Sequence, residues 1–119
     1  MGVRVTSIRP SAVGCDPADV AAPASNTAAV VTYAAAEGLS HVVSGILWSY
    51  STSPTGGNLK IEDGAGNTVL SFDITSAGPG FLPFEPFKKG TANTAMIITL
   101  AAAGSGCAGK VSVIDHWTE

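Results

Sequence analysis

The chain has 119 residues, the size of one ordinary domain, so we expect a single hydrophobic core. Hydrophobic residues make up 45% of the chain, but charged residues make up only 13%, well below the ~25% typical of soluble domains. A net charge of -3 with only six basic residues speaks against nucleic-acid binding, which needs a dense basic patch. A surface poor in charge suits contact with neighbouring subunits, although a weakly charged monomer would have the same composition.

Residues 1–26 are predicted to form an extended N-terminal arm, separate from a β-sandwich domain at 27–119. Val3 and Val5 begin a short alternating pattern, after which three prolines and a glycine interrupt any regular element. A disordered tail is the alternative for an isolated chain. The arm residues that we expect to contact a partner are Val3, Arg4, Val5 and Arg9.

The sequence shows no secretory signal and no apolar run long enough to span a membrane. Synthesis in a reducing cytoplasm is therefore expected, with the thiols of Cys15 and Cys107 both free.

From Thr27 onward, short alternating apolar segments are separated by turn residues, a pattern typical of a sandwich or barrel. The longest, 40–51, is predicted to be a central strand with a bulge or a close approach at Gly45. Trp48 is expected in the core. The residues predicted to share its face are Val42, Ile46 and Tyr50.

Residues 59–62 and 70–75 both alternate apolar and polar side chains, and the stretch 63–67 between them reads DGAGN. Because glycine and asparagine tolerate positive φ, this stretch predicts a tight hairpin turn between two strands.

The segment 78–87 contains three prolines, which exclude it from the centre of a sheet. It is predicted to be a loop over the open end of the core, held by its phenylalanines or, alternatively, using them as a subunit contact. The phenylalanines expected at this contact are Phe81, Phe84 and Phe87.

The final strand, 110–117, is predicted to place Val111, Val113 and Trp117 on one face and His116 on the other. Trp117 fits either the core or an exposed contact, and it is included among the expected interface residues.

The sequence contains only two histidines, His41 and His116, and neither lies in a catalytic motif. Four Cys and His residues supply zinc-ligand types, but without the close pairs that zinc sites use. No enzymatic activity, cofactor or metal is therefore predicted.

Several stretches after the arm resemble small bacteriophage head proteins of the decoration, or cement, type. They are 44–51 (SGILWSYS), 54–57 (PTGG), 61–66 (IEDGAG), 77–81 (AGPGF), 93–96 (NTAM) and 116–119 (HWTE). The resemblance implies an all-β, jelly-roll-like antiparallel β-sandwich that forms a homotrimer on the capsid exterior of the virion and clamps neighbouring major capsid proteins. The charge and hydropathy of the sequence, as described above, predict no membrane partner and no nucleic-acid partner.

Two other classes of function remain open at this point. One is a carbohydrate-binding or adhesin module of a phage tail or cell surface, with Trp117 and Tyr50 as stacking residues. The other is a small hydrolase with a pocket of perturbed carboxylates near one of the histidines.

Overall fold

The computed structural model describes residues 19–119, which form eight β-strands in two antiparallel sheets packed face to face. The predicted all-β sandwich is confirmed. In chain order the strands are β1 (Val20–Ala21), β2 (Ala29–Tyr33), β3 (His41–Tyr50), β4 (Asn58–Asp63), β5 (Thr68–Asp73), β6 (Gly78–Lys89), β7 (Met96–Leu100) and β8 (Gly109–Thr118).

The first sheet has the strand order β1-β8-β3-β6, and the second has the order β2-β7-β4-β5. Only β4 and β5 are neighbours both in sequence and in a sheet. Every other connection carries the chain across from one sheet to the other. Residues distant in sequence therefore lie side by side on both sheets.

The β4–β5 hairpin forms where the sequence predicted it. Its strands pair from Asn58 opposite Asp73 to Ile61 opposite Leu70. The turn between them contains two glycines in the left-handed region, at φ 86° and 84°, as a tight turn requires.

The core lies between the sheets and follows from the alternation of each strand. Along β2, buried and exposed side chains alternate, and along β7, buried and half-buried side chains alternate. The core side chains with no measurable exposure are Val43, Ile46, Leu59, Ile61, Ile98, Leu100 and Val111.

An irregularity in β3 reverses which residues face the core. Val43 and Ile46 both belong to the core although they are three positions apart, which a regular strand of period two does not allow. The register with β6 shifts between Val43 and Gly45, and the Ser44 hydroxyl donates to the Ile114 carbonyl at 2.9 Å. A bulge or a close approach was predicted at Gly45, and the structure has a register shift beside it, with the extra residues on β6.

β8 has a matching irregularity at the same level. Asp115 has a φ of 54°, which is uncommon for a residue other than glycine. Beyond it, His116 stacks on the core residue Tyr33. The faces predicted from simple alternation are therefore wrong at these strand ends. His116, and not Trp117, takes the inner face, and Val42 lies directly opposite Trp117 in register.

The proline-rich segment is a strand and not the predicted loop. β6 lies at the edge of the first sheet, with Pro79 opposite Ser49 and Pro83 opposite Gly45. Proline has no backbone N–H to donate to a neighbouring strand, but an edge strand needs hydrogen bonds to a neighbour on one side only. The expectation that this segment is not central is confirmed, whereas the loop is corrected to an edge strand.

Residues 19–26, the end of the predicted arm, lie against the sandwich. β1 pairs with β8, the Tyr33 hydroxyl donates to Asp19, and the Asn26 N–H donates to the Cys107 carbonyl at 2.8 Å. Residues 19–26 thus belong to the sandwich as the structure describes it. The rest of the predicted arm, 1–18, lies outside the described residues. It contains the expected contact residues Val3, Arg4, Val5 and Arg9.

Cys107 is a free, buried thiol, whereas Cys15 lies outside the described residues. Within residues 19–119, no helix has the length and apolar character to cross a membrane.

Candidate interaction face

A row of side chains crosses the outer face of the first sheet from edge to edge. Val20 lies opposite Ser112, Ser112 opposite Leu47, and Leu47 opposite Phe81. The three apolar members are 51%, 41% and 54% exposed, respectively. We call Val20, Ser112, Leu47 and Phe81 the apolar row. Each comes from a different strand, so only the tertiary structure brings them together.

The next row along the sheet supports the ring of Phe81. This row consists of Ile114, Gly45 and Pro83. A Cβ atom at Gly45 would lie 2.9 Å from Cε1 of Phe81 and 3.1 Å from the Leu82 carbonyl oxygen. Glycine is therefore needed here because the aromatic ring passes closely over the backbone.

Neither row contains a charged side chain. Lys110, opposite Ser49, is the next charged residue along β8 beyond Ser112. Two adjacent rows without a charge lose little solvation free energy when a partner covers them, because no ion has to leave water. Contiguous exposed apolar surface of this kind is typical of contact sites.

The other predicted aromatic contacts divide between the core and the surface. Phe84 is 9% exposed and belongs to the core, so it is corrected from a contact residue to a core residue. Phe87 is 45% exposed and packs edge-on against Trp117, with ring centroids 5.1 Å apart and an interplanar angle of 88°. Phe81, Phe87 and the half-buried Trp117 thus remain at the surface.

Lys89 and Glu119 lie beside this aromatic pair. Their side chains form an ion pair at 3.1 Å, and the Trp117 indole N–H donates to Glu119 at 3.3 Å. Trp117 therefore has polar and aromatic partners of its own.

Both histidines contact Tyr33, at the start of β3 and near the end of β8. The sequence alone did not predict this cluster. The rings of Tyr33 and His116 stack with centroids 3.6 Å apart and an interplanar angle of 5°. His41 Nδ1 lies 2.8 Å from His116 Nε2, and His41 Nε2 lies 2.6 Å from the Ala34 carbonyl oxygen. No sequence motif announces this contact, because it depends on strand pairing and on the face reversal at Asp115.

The hydrogen bonds of His41 define its chemistry. Since a carbonyl oxygen only accepts, His41 Nε2 must carry a proton, and in the neutral pair Nδ1 accepts from His116 Nε2–H. Both nitrogens of this buried imidazole are thus occupied, which leaves neither free to act as a general base. Among residues 19–119, no group of three or more His, Cys, Asp or Glu side chains is placed to hold a metal ion.

Tyr50, a stacking residue in the carbohydrate-binding alternative, is only 2% exposed. Its hydroxyl donates to the Ala101 carbonyl at 2.7 Å and accepts from the Asn58 N–H at 3.4 Å. Burial raises the pKa of Tyr50 above its ordinary value because it disfavours the phenolate. The ring is a core element and cannot stack on a sugar at the surface.

Comparison with known proteins assigns no family. The chain matches no protein-family model and no curated protein. The fold and the surface of the described residues therefore carry the functional argument.

Proposed function

We propose that this protein decorates and stabilises a bacteriophage capsid, without enzymatic activity, by clamping neighbouring major capsid proteins from the outside. It acts as a homotrimer that is assembled in the host cytoplasm and remains on the virion. The observation that carries the proposal is the apolar row, which lies with a second uncharged row on the outer face of the first sheet. Apolar patches on soluble proteins often mark functional contacts, and this one spans all four strands of its sheet.

The connectivity supports the finer assignment of a jelly roll. Eight strands in the orders β1-β8-β3-β6 and β2-β7-β4-β5, with almost every connection crossing between sheets, follow the double-sheet pattern of that architecture. Jelly rolls occur in viral capsid domains and in lectins. Because one fold hosts many functions, the topology supports a capsid role without distinguishing it from sugar binding.

The edge strand β6 is protected against uncontrolled strand pairing with other molecules. An exposed edge strand can recruit strands from other molecules, and proline blocks such pairing. β6 carries prolines at positions 79, 83 and 86. A protein concentrated on a shell surface benefits from this protection, because its contacts are then made by the sheet face and not by an open edge.

Stabilisation of the shell follows from mass action. A ligand that binds the assembled shell but not its dissociated subunits shifts the equilibrium towards the shell, and the shift grows with the ratio of ligand concentration to Kd. No chemical step is required. The contribution of each bound protein depends on how well its apolar surface is covered.

Charge substitutions on the apolar row test the docking surface. Leu47→Glu and Phe81→Glu should each lower occupancy on purified capsids of the encoding phage by about 10-fold or more, because a buried unpaired carboxylate is costly. Val69→Glu is the matched control, since Val69 is 46% exposed but lies on β5 in the second sheet. Wild-type occupancy of all three variants would remove the apolar row from the interface.

Sedimentation equilibrium of the full chain tests the oligomer. The expected species is a trimer. A monomer at every concentration at which the protein still binds capsids would exclude a preformed trimer and would assign the apolar row to the shell contact alone.

A further inference from the structure

A cleft of about 280 Å³ lies at the margin of the sandwich between β5 and β6. The chain crosses there from the second sheet to the first, and these two strands scarcely touch. The cleft is lined by Trp48, Phe72 and the connection from Asp73 to Gly80. It is separate from the apolar row, which lies on the outer face of the first sheet.

Trp48 provides an aromatic wall with an available donor. Its indole packs over Gly80 and meets the ring of Phe72 edge-on, with centroids 5.5 Å apart and an interplanar angle of 64°. No buried side-chain nitrogen or oxygen in the described part of the chain lacks a hydrogen-bond partner, and Trp48 Nε1 forms no such bond there. This N–H is therefore not fully shielded from solvent, and its ring lines the cleft.

The remaining lining mixes polar and apolar residues and carries no positive charge. Thr75 and Ser76 bring hydroxyl groups, and Asp73 is the only charged residue among the lining residues. A site with a carboxylate and no cation disfavours phosphate, sulfate and acidic sugars. Aromatic surface combined with hydroxyl groups and one indole N–H matches a neutral pyranose, which has an apolar C–H face and a rim of hydroxyl groups.

A second cleft, of about 250 Å³, adjoins the first across the ridge formed by Asp73, Ile74 and Thr75, which line both. Its other wall is formed by Pro54, Gly56 and Gly57. Each cleft lies just below the ~300 Å³ at which pockets for drug-sized ligands begin, a size that suits a single sugar ring.

We propose that the two clefts bind a neutral disaccharide or a longer neutral glycan, with one sugar ring against Trp48 and the next across the Asp73–Thr75 ridge. Thr75, which lines both clefts, supplies a hydroxyl contact, and Trp48 supplies the apolar wall and the N–H donor. The site is independent of capsid binding, so it can be tested on the isolated protein.

The test follows the two indole N–H signals in ¹H–¹⁵N spectra, with the Trp48 signal assigned from the variant Trp117→Phe. The titrants are the methyl glycosides of glucose, galactose and mannose, N-acetylglucosamine, and the disaccharides maltose, cellobiose, lactose and chitobiose. We expect a saturable shift of the Trp48 signal with at least one disaccharide, at a Kd of about 1 mM, and weaker binding of its monosaccharide unit.

Thr75→Val removes the hydroxyl group at constant shape and should weaken that binding by about 5-fold. Thr68→Val is the control, because Thr68 is exposed at the start of β5 and lines neither cleft. Absence of a saturable Trp48 shift with every sugar up to about 100 mM, a hundred times the expected Kd, would overturn the proposal. Equal weakening by both valine variants, or binding of choline chloride in place of sugars, would overturn it as well.

Discussion

The indole of Trp48 lies directly on the backbone of Gly80, its partner in the β3–β6 register. A Cβ atom at Gly80 would lie 2.2 Å from Cζ2 and 2.4 Å from Cε2 of the ring. Only glycine leaves room for the tryptophan in this position, and the contact ties the edge strand β6 to the centre of the sheet. The strand pattern predicts Trp48 in the core; in the structure its side chain packs against the margin of the core and is half-buried.

Gly80→Ala should therefore destabilise the protein by about 1–3 kcal/mol, because the added methyl group forces the indole from its place. Urea denaturation followed by far-UV circular dichroism measures this cost. In a Trp48→Leu background the same substitution should cost less, since the ring that it meets is gone. Strictly additive costs in this double-mutant cycle would contradict the contact.

Tyr50 should make stability fall at alkaline pH. Its pKa is raised in the folded protein because burial disfavours the phenolate, so above about pH 10 the unfolded chain releases this proton before the folded one does. The unfolded state then binds fewer protons, and the free energy of unfolding decreases as pH rises.

Tyr50→Phe is the control for this pH dependence. It should cost about 1–3 kcal/mol near neutral pH, because the Ala101 carbonyl loses its donor. It should also show a smaller loss of stability between pH 8 and pH 11. Parallel pH profiles for the two proteins would show that other groups cause the decline.

Two N-terminal truncations separate the end of the predicted arm from the residues before it. Deletion of 1–26 removes the β1 pairing with β8 and the hydrogen bonds of Asp19 and Asn26, whereas deletion of 1–18 keeps them. The longer truncation should therefore be less stable than the shorter one by about 1–3 kcal/mol. Identical melting curves would show that residues 19–26 contribute nothing to the folded sandwich.

Cys107 should resist thiol reagents in the native protein. Its side chain is 2% exposed, and its sulfur lies 3.4 Å from the Thr52 carbonyl oxygen. Labelling with iodoacetamide, followed by peptide mass spectrometry, should show Cys107 modified only after denaturation, because a buried thiol is inaccessible. Rapid native labelling at this residue would place it at the surface.

Local chemistry was enough to predict several elements of the fold. The β4–β5 hairpin follows from glycines in a short polar turn between two alternating strands, a pattern that depends on neighbouring residues alone. The irregularity beside Gly45 follows from the same kind of argument, because a glycine inside an apolar strand marks a bulge or a close approach. The three prolines of β6 also predicted that this segment is not central.

The candidate sites were not predictable in the same way. Simple alternation does not predict which side chains face the core on either side of Ser44 and Asp115. A local backbone irregularity there turns the side chains that follow it towards the opposite face of the sheet. The contact of Tyr33 with His41 and His116 depends on that reversal. The placement of Phe84 in the core depends on the long bulge of β6, where four residues, 84–87, face Ser44 alone.

The sequence by itself determined the class of the protein, because composition, alternation and turn chemistry are properties of short segments. It also predicted contact residues from the aromatic side chains and the low charge. Only the tertiary structure decided which residues share a surface. Strand order and register set those neighbours, and they arise from packing between segments as far apart in sequence as Val20, Leu47, Phe81 and Ser112.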